Sequence, residues 1–290
     1  MRIAHLSDIH VLSLEGERPW SFLNQRVLGG ANLLFNRGGA YPVEVAEALV
    51  HDVNAQEVDH VIVSGDLTNL SLKAEFKRVA EMLGRLKGAP ANVTVVPGNH
   101  DCYTLGAFLS RPFERVLAPF LESDVVGRQA FPVLKLRGDV AVIGLSSATF
   151  APPLLATGCV GQRQLGALEQ LLERPEVRRR FRIIVVHHPP RSPYASWHKR
   201  LVDGEALMGV IERAGADLVL HGHLHRELRD ELPTPTGQAL VVGVNSGTWV
   251  TAESPRRASY NLYEVRDGVL WDVHRRGYDV ETKVYQDIIV

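Results

Sequence analysis

Arg2-Ile3-Ala4-His5-Leu6-Ser7-Asp8-Ile9-His10 decides the fold: an apolar run starts at once and breaks on two polar side chains placed two residues apart. The same form returns further along the chain. Gly65-Asp66 follows the run 60–64, Gly98-Asn99-His100-Asp101 follows 93–96, His187-His188-Pro189 follows 183–186, and Gly222-His223-Leu224-His225 follows 218–220. Each is a Val/Ile/Leu-rich stretch of strand length that ends in a turn. The polar side chains are all hard oxygen or imidazole donors, the set that suits divalent metals. The exit of a buried strand is also where a rigid scaffold builds a site.

Outward from these runs, a further strand is expected at 140–145, and apolar residues recur at helical spacing over 43–53, 72–86, 162–172 and 205–214. Strand and helix therefore alternate, as in βαβ units with a parallel sheet. After His225 the helical period stops. Segments 240–244, 260–265 and 269–273 read as strands joined by turns such as Arg266-Asp267-Gly268, which suggests a second, mainly antiparallel stretch packed on the first. No repeat or linker-like tract interrupts the chain, so residues 1–290 are expected to form one α/β domain with a mainly β portion at about 226–290.

Composition narrows the class. The chain has 290 residues, 45% hydrophobic and 22% charged, enough for a sizeable core. A formal net charge of −1 gives no global field toward nucleic acid, so no nucleic-acid polymer is expected as a partner. Two cysteines, Cys102 and Cys159, cannot form a disulfide framework, and no apolar leader precedes the first strand, which points to a reducing cytoplasm. No apolar run is long enough to span a bilayer.

Spacing gives the chemistry. In extended chain, residues two apart point the same way, so Asp8 with His10, and His223 with His225, each present two donors to one side. Gly65, Gly98 and Gly222 precede donors at turns, where a missing Cβ permits unusual backbone angles and close approach to an ion. The ordered set D-x-H, G-D, G-N-H-D, H-H-P and G-H-x-H, spanning residues 3–225, resembles the calcineurin-like metallophosphoesterase superfamily. That resemblance implies two mixed sheets packed face to face between outer helices. It assigns one metal to Asp8, His10, Asp66 and His225 and the other to Asp66, Asn99, His187 and His223, with Asp66 bridging. Two divalent ions, Mn, Fe or Zn, are implied; coordination lowers the pKa of water from 15.7 toward about 7, making a hydroxide that attacks phosphorus.

In the same scheme His100 faces the phosphate and protonates or stabilises the leaving oxygen, while Asn99 also touches substrate. Asp101 either orients His100 or its loop, or caps a helix over 103–108. The H-x-P form points to His187 as the ligand, with His188 facing the other way. His5 and His221, inside strands, read as packed groups behind the ligands. Cys102, although close to His100, reads as a small packed residue.

Departures from known branches select among substrates. Purple acid phosphatases place a tyrosine where this chain has Asn69. Protein Ser/Thr phosphatases continue their G-D block with Asp-Arg-Gly, absent from Gly65-Asp66-Leu67-Thr68. Common lipid A precursor pyrophosphohydrolases have arginine at the place of His100. The pattern is most similar to class III cyclic nucleotide phosphodiesterases and glycerophosphodiesterases, which implies small phosphodiesters as substrates. The alternatives are a phosphomonoesterase or a pyrophosphohydrolase of a nucleotide- or lipid-linked phosphate, and a non-catalytic scaffold on the same fold.

Two inserts bear on substrate choice. In 18–37, Trp20, Leu23, Val27, Ala31 and Leu34 form an apolar helical stripe, either docked on the domain or serving as a lid or peripheral membrane contact. In 191–200, Arg191, Trp197 and Arg200 could grip phosphate and cover a base or acyl chain, or belong to a solvated loop. The arginines of 174–182 read as a solvated helix end before a strand.

Overall fold

The computed structural model describes residues 1–17, 41–125, 130–152, 154–191, 194–250 and 257–288. The insert at 18–37 thus lies outside the described residues. Among the described residues, twelve strands form two six-stranded sheets. The first contains β1 (Arg2–Leu6), β2 (His60–Val63), β3 (Val93–Val95), β10 (Ser259–Arg266), β11 (Val269–Asp279) and β12 (Val284–Asp287). Its spatial order is β12-β11-β10-β1-β2-β3. The second contains β4 (Val133–Arg137), β5 (Val140–Gly144), β6 (Phe181–Val185), β7 (Leu218–His221), β8 (Leu228–Thr234) and β9 (Gly237–Gly243), in the order β4-β5-β6-β7-β9-β8. β1, β2 and β3 are parallel, as are β5, β6, β7 and β9; β10, β11 and β12 make the antiparallel half of the first sheet, and β4 and β8 pair antiparallel at the two edges of the second.

Alternation along the strands builds the layers. In β5, Val140 and Val142 join the apolar cluster shared with the first sheet, whereas Ala141 and Ile143 join a second cluster. Ile183 and Val185 against Ile184, and Leu218 and Leu220 against Val219, sort in the same way. Side chains two apart share a face, so one face of this sheet packs on its partner sheet and the other on helices. The helices on that outer face are α5 (Gln162–Glu173) and α7 (Gly204–Ala214), which bury Leu165, Leu168, Leu207 and Ile211. α1 (Val43–Ala55) and α2 (Lys73–Leu83) cover the first sheet with Leu49, Val53, Phe76 and Val79. Short helices α3 (Leu105–Ser110) and α4 (Pro112–Val116) follow β3, and α6 (Pro175–Arg178) precedes β6. Among the described residues no helix is long and apolar enough to cross a membrane.

The C-terminal strands depart from expectation. They form no layer of their own: β8 and β9 extend the second sheet, with β9 parallel to β7, and β10 to β12 extend the first through antiparallel pairing of β10 with β1. Strands β4, β8 and β12 were also not expected from periodicity. β4 carries a fully buried lysine, Lys135, in its middle, and β8 is an edge strand with charges and Pro233, residues that read as loop.

Candidate metal centre

Every motif turn leaves the C-terminal end of a parallel strand, so the polar side chains collect at one end of both sheets, the usual ligand position in α/β folds. The exits of β1 and β2 run on side by side: Asp8 N donates to Gly65 O (2.9 Å), His10 N to Asp66 O (3.0 Å) and Val11 N to Leu67 O (2.8 Å). Asp8, His10, Asp66, His223 and His225 all have positive φ, at 53, 50, 50, 71 and 48°. Left-handed backbone at non-glycine residues is costly and persists only where the surroundings impose it. Among the glycines, Gly65 meets the expectation of a special angle, with φ +102°, and a Cβ there would lie 2.5 Å from His187 Nδ1. Gly98 and Gly222 serve a different purpose, since a Cβ on them would collide with Asp66 and with Ser7 and Asp8.

Among the described residues three overlapping groups of donors result: Asp8, His10 and His225; His10, Asp66 and His100; and Asp66, His187 and His223, each group with its donor atoms within 4.8 Å of one another. His10 Nε2 and His225 Nε2 are 3.2 Å apart, and Asp8 Oδ1 is 3.1 Å from the latter. Asp66 Oδ2 lies 3.9 Å from His10 Nε2 and 3.4 Å from His187 Nε2. It therefore stands between the two clusters. Asn99 Oδ1 is 3.3 Å from His187 Nε2. His187 Nδ1 donates to Ser64 O (2.7 Å), which turns Nε2 toward Asp66, whereas His223 Nε2 donates to Lys199 O (3.0 Å), which leaves its Nδ1 for the centre. Fixing one ring nitrogen in this way orients the other as a ligand.

Electrostatics pair ionised carboxylates with imidazoles of two kinds: burial opposes protonation of His187, but Asp66 outweighs it and raises the ring to about 9, while other imidazoles stay neutral. Burial holds His10 and His223 well below the ordinary histidine range. Burial opposes ionisation of Asp8, but His225 and His187 outweigh it and its carboxyl falls to about 2. Asp66 is likewise held well below the ordinary range, burial being outweighed by His187 and His100.

His100 donates its backbone N–H to Asp66 Oδ1 (2.7 Å), and its Nδ1 donates to Asn69 O (2.7 Å), leaving Nε2 for a substrate. Its ring stacks on Tyr103, with centroids 5.6 Å apart, and stands edge-on to His10. Asp101 holds the loop that carries His100. Its carboxylate accepts from Leu67 N, Thr68 N and Oγ1, and Gly98 N, which ties the β2 and β3 turns together. Thr104, not Asp101, caps α3. His100 is positioned by Asn69, whose side-chain amide also donates to His10 O. Only its place three residues after Asp66 could have drawn attention to Asn69.

His188 packs its ring on that of His223, centroids 4.4 Å apart, but gives both nitrogens to partners outside the donor groups. Ser147 Oγ and Ala156 O flank its ring at 2.8 and 3.1 Å, and Gly158 lies beneath it. His5 and His221 are buried behind the centre, His5 Nε2 being 2.8 Å from Ser64 Oγ. In the 191–200 segment the backbone reaches the centre through Lys199 O, but the described contacts of the side chains lie elsewhere. Arg191 pairs with Asp230 (2.8 Å), Trp197 is 69% exposed beside His198, and Arg200 is exposed. Cys102 is half-buried, and burial pushes its thiol up, out of reach of thiolate chemistry.

One part of the centre had no signal in the reading of the sequence. Residues 245–249, Asn-Ser-Gly-Thr-Trp, clasp the Asp8 loop from behind: Gly247 N donates to Ser7 O (2.7 Å), Ser246 Oγ to Asp8 O (2.6 Å) and Thr248 Oγ1 to Ile9 O (2.6 Å). Trp249 stands edge-on to His225, centroids 5.0 Å apart, and Tyr41 lies 4.7 Å from His10.

The donor set fits two cations. Asp8 and Asp66 are fully or almost fully buried, and among the described residues their ion-pair contacts are all imidazoles, with no lysine or arginine. Buried carboxylates without fixed counter-charge are expensive unless they hold metal. A family model described as calcineurin-like phosphoesterase matches residues 1–227. The chain belongs to this family. Among solved structures, a dimetal phosphatase from Danio rerio superposes with a TM-score of 0.65 at 16% identity, over 96% of this chain and 95% of its own. A purple acid phosphatase from yellow lupin seeds gives 0.60 at 11% identity over 99% of this chain, which spans 52% of that protein. GAP50 of Plasmodium, described as the anchor in the inner membrane complex, gives 0.51 at 11%, over 100% of this chain and 89% of its own. At these identities the likenesses show the fold. No curated protein sequence matches the chain.

Proposed function

We propose that this phosphoesterase hydrolyses small phosphodiesters at a binuclear centre. Asp8, His10, Asp66 and His225 would hold one divalent ion and Asp66, Asn99, His187 and His223 the other. The observation that carries the reading is Asp66, buried between two groups of imidazole donors and, among the described residues, paired with no lysine or arginine. Two cations there would supply an activated water and offset the charge that develops on phosphorus.

The chain's own groups divide the remaining work. Asn99 and His100 face the phosphoryl group. In hydrolysis the water oxygen bonds to phosphorus, the bond to the leaving oxygen breaks, and that oxygen takes a proton from Nε2 of His100, whose Nδ1 is held by Asn69 O. A diester is favoured by the H-H-P-P and G-H-x-H pattern and by a described donor shell made of imidazole, carboxylate and amide groups, without the guanidinium that a dianionic monoester would attract.

The metals are expected to be Mn, Fe or Zn, since oxygen and imidazole donors without thiolate suit these ions. The test is a panel of bis(p-nitrophenyl) phosphate, p-nitrophenyl phosphate, cyclic AMP and a UDP-lipid, each assayed with added Mn²⁺, beside elemental analysis of the protein. The diester should turn over fastest. Preference for the monoester or the UDP-lipid would replace the diester reading, and absence of metal together with no activation by any divalent ion would remove the enzyme reading.

A further inference from the structure

Large apolar side chains stay exposed at the end of the sheets that carries the metal centre, and they stand on two rims. On one rim, α3 follows the His100 loop directly, and Leu105, Phe108 and Leu109 share its outer face at steps of three and four residues while Ala107 is buried. Leu109 is 70% exposed. On the other rim the exits of β5 and β6 run together: Ala156 N donates to His198 O (2.8 Å), Gly158 N to Arg200 O (3.1 Å) and Val202 N to Gly158 O (2.8 Å). From this pair project Leu154, Trp197 and Val202, exposed by 91, 69 and 60%.

Both rims also hold groups of the centre. Ser71 Oγ links His100 O (2.6 Å) to Tyr103 N (2.8 Å) just ahead of α3, whereas Lys199 O accepts from His223 Nε2 and Ala156 O lies 3.1 Å from His188 Nε2. The exposed tips are thus a few residues of chain away from His100 and from His223. Leu154 adds a second departure, a φ of 71°. Left-handed backbone and near-complete exposure are together not expected of a leucine whose final surroundings are water.

Charge selects the occupant. Residues 104–111, 154–158 and 194–202 contain Arg111, Lys199 and Arg200 and no aspartate or glutamate, although the whole chain has a net charge of −1. All three cations are exposed, and among the described residues none forms an ion pair. The carboxylates that follow these segments, Glu114 and Asp203, are half-buried, and Asp203 accepts from Val160 N (3.0 Å) and Gly161 N (2.7 Å). The exit of β1 is different: Glu15 and Glu17 stand beside the exposed Leu12 and Leu14, so that exit is no part of this surface. A folded protein partner packs on a contiguous face. Separate apolar tips among cations suit a fluid lipid layer instead, which surrounds each tip while tryptophan sits at the headgroup level and the cations meet phosphates.

We propose that these two rims seat the protein on an anionic lipid bilayer and hold the metal centre at the headgroup layer. Docking itself does not depend on the phosphodiesterase reading. To that reading it adds a substrate class, the phosphodiesters of lipid headgroups.

The experiment sediments the metal-loaded protein with vesicles of phosphatidylcholine, alone and mixed equally with phosphatidylglycerol, in buffer free of unbound metal. The wild type should bind the mixed vesicles on the order of 10²-fold more tightly, from about fivefold for each of three cations near an anionic surface. Leu109→Ser/Leu154→Ser should weaken that binding by about tenfold for each leucine withdrawn from the acyl boundary. The same variant should keep the wild-type melting temperature and turnover of bis(p-nitrophenyl) phosphate. Brominated lipid should quench the tryptophan fluorescence of the wild type; Trp197→Phe should lose most of that quenching, and Trp271→Phe, changed on β11 outside both rims, should keep it. Failure of the wild type to sediment with mixed vesicles, or binding by the double leucine variant equal to the wild type's, would overturn the docking surface. So would a wild-type dimer in sedimentation equilibrium that the double variant abolishes, which would give the rims to a second copy of this chain. Absence of turnover on every diester beside intact vesicle binding would fail the diesterase reading and leave the surface standing.

Discussion

Two buried polar clusters occupy opposite ends of the same sheets, and they are finished differently. At the N-terminal end of β3, Lys135 reaches in from β4 and donates from Nζ to Pro90 O (3.1 Å), Ala91 O (3.2 Å) and Val93 O (2.8 Å). Each of its donors has an acceptor, so that cluster is closed. At the C-terminal ends, Asp8, His10, Asp66, His187, His223 and His225 turn acceptors toward one another. His10 Nδ1 and His225 Nδ1 have no hydrogen-bond partner, and the carboxylates pair with no lysine or arginine among the described residues. Burial alone does not mark a site. An excess of buried acceptors over donors does, because only a cation can balance it.

The comparison is broken most severely at the bridge. Replacing Asp66 with Asn removes the charge shared by both groups, so metal content and turnover should fall together. The loss in turnover should be on the order of 10³-fold, equivalent to the several kcal/mol that metals contribute to the transition state. Elemental analysis beside kinetics checks this; full metal occupancy in the variant would show that Asp66 is not the bridge.

Replacing His100 with Ala should separate chemistry from metal binding. Its ring is held by Asn69 O and Tyr103 rather than by the donor pairs, so the metals should stay while turnover drops by roughly 10²–10⁴-fold, the range of general acid catalysis. The drop should be smaller for p-nitrophenyl esters, whose leaving group needs little protonation, than for alkyl or ribose leaving groups. Equal losses across leaving groups would reduce His100 to a phosphate contact.

The open cluster was the more legible of the two, for a physical reason. Its donors are rare residue types set beside Gly65, Gly98 and Gly222 directly after Val/Ile runs, so a local pattern carries both position and chemistry. What escaped notice works through the backbone. Ser246, Gly247 and Thr248 hold Ser7, Asp8 and Ile9 with hydrogen bonds that any polar turn could make, and nothing local says which distant carbonyls receive them. Lys135 escaped for the opposite reason: a lysine in a strand reads as a solvated face, and only tertiary structure supplies three carbonyls for it. The choice of His187 over His188 as ligand rests on the H-x-P form of the family pattern; the two-residue period of extended chain says only that the two neighbours diverge.

That clasp gives a smaller, graded test. Thr248→Val keeps the shape but removes the donor to Ile9 O, between Asp8 and His10. Outer partners of metal ligands typically contribute 10–100-fold to metal affinity, and one neutral hydrogen bond should fall near the lower figure, about tenfold. A chelator titration should show the weakening at one ion and not the other, because the clasp touches only the Asp8–His10 loop. Uniform weakening at both would assign the effect to general loss of stability.

The smallest functional effect is expected at the closed cluster, and it makes the sharpest control. Lys135→Met leaves the volume nearly filled but strands its carbonyl acceptors, so stability should fall by about 1–3 kcal/mol. Metal content and turnover should not change, since Lys135 meets β3 at its start and Asn99 follows its end. The pH dependence has a definite sign. Burial pulls the Lys135 ammonium from 10.5 to about 8, so the folded-state value lies below the unfolded one. Charging the buried amine therefore costs the fold free energy at every pH below about 8, and the cost is relieved as pH rises from there toward 10.5. The stability difference between wild type and Lys135→Met should shift in favour of the wild type over that interval, as read by denaturant melts at several pH values. A shift in the opposite direction would mean that the three carbonyls hold the ammonium charged more strongly than burial discharges it. Any loss of bound metal in this variant would erase the distinction between the two clusters.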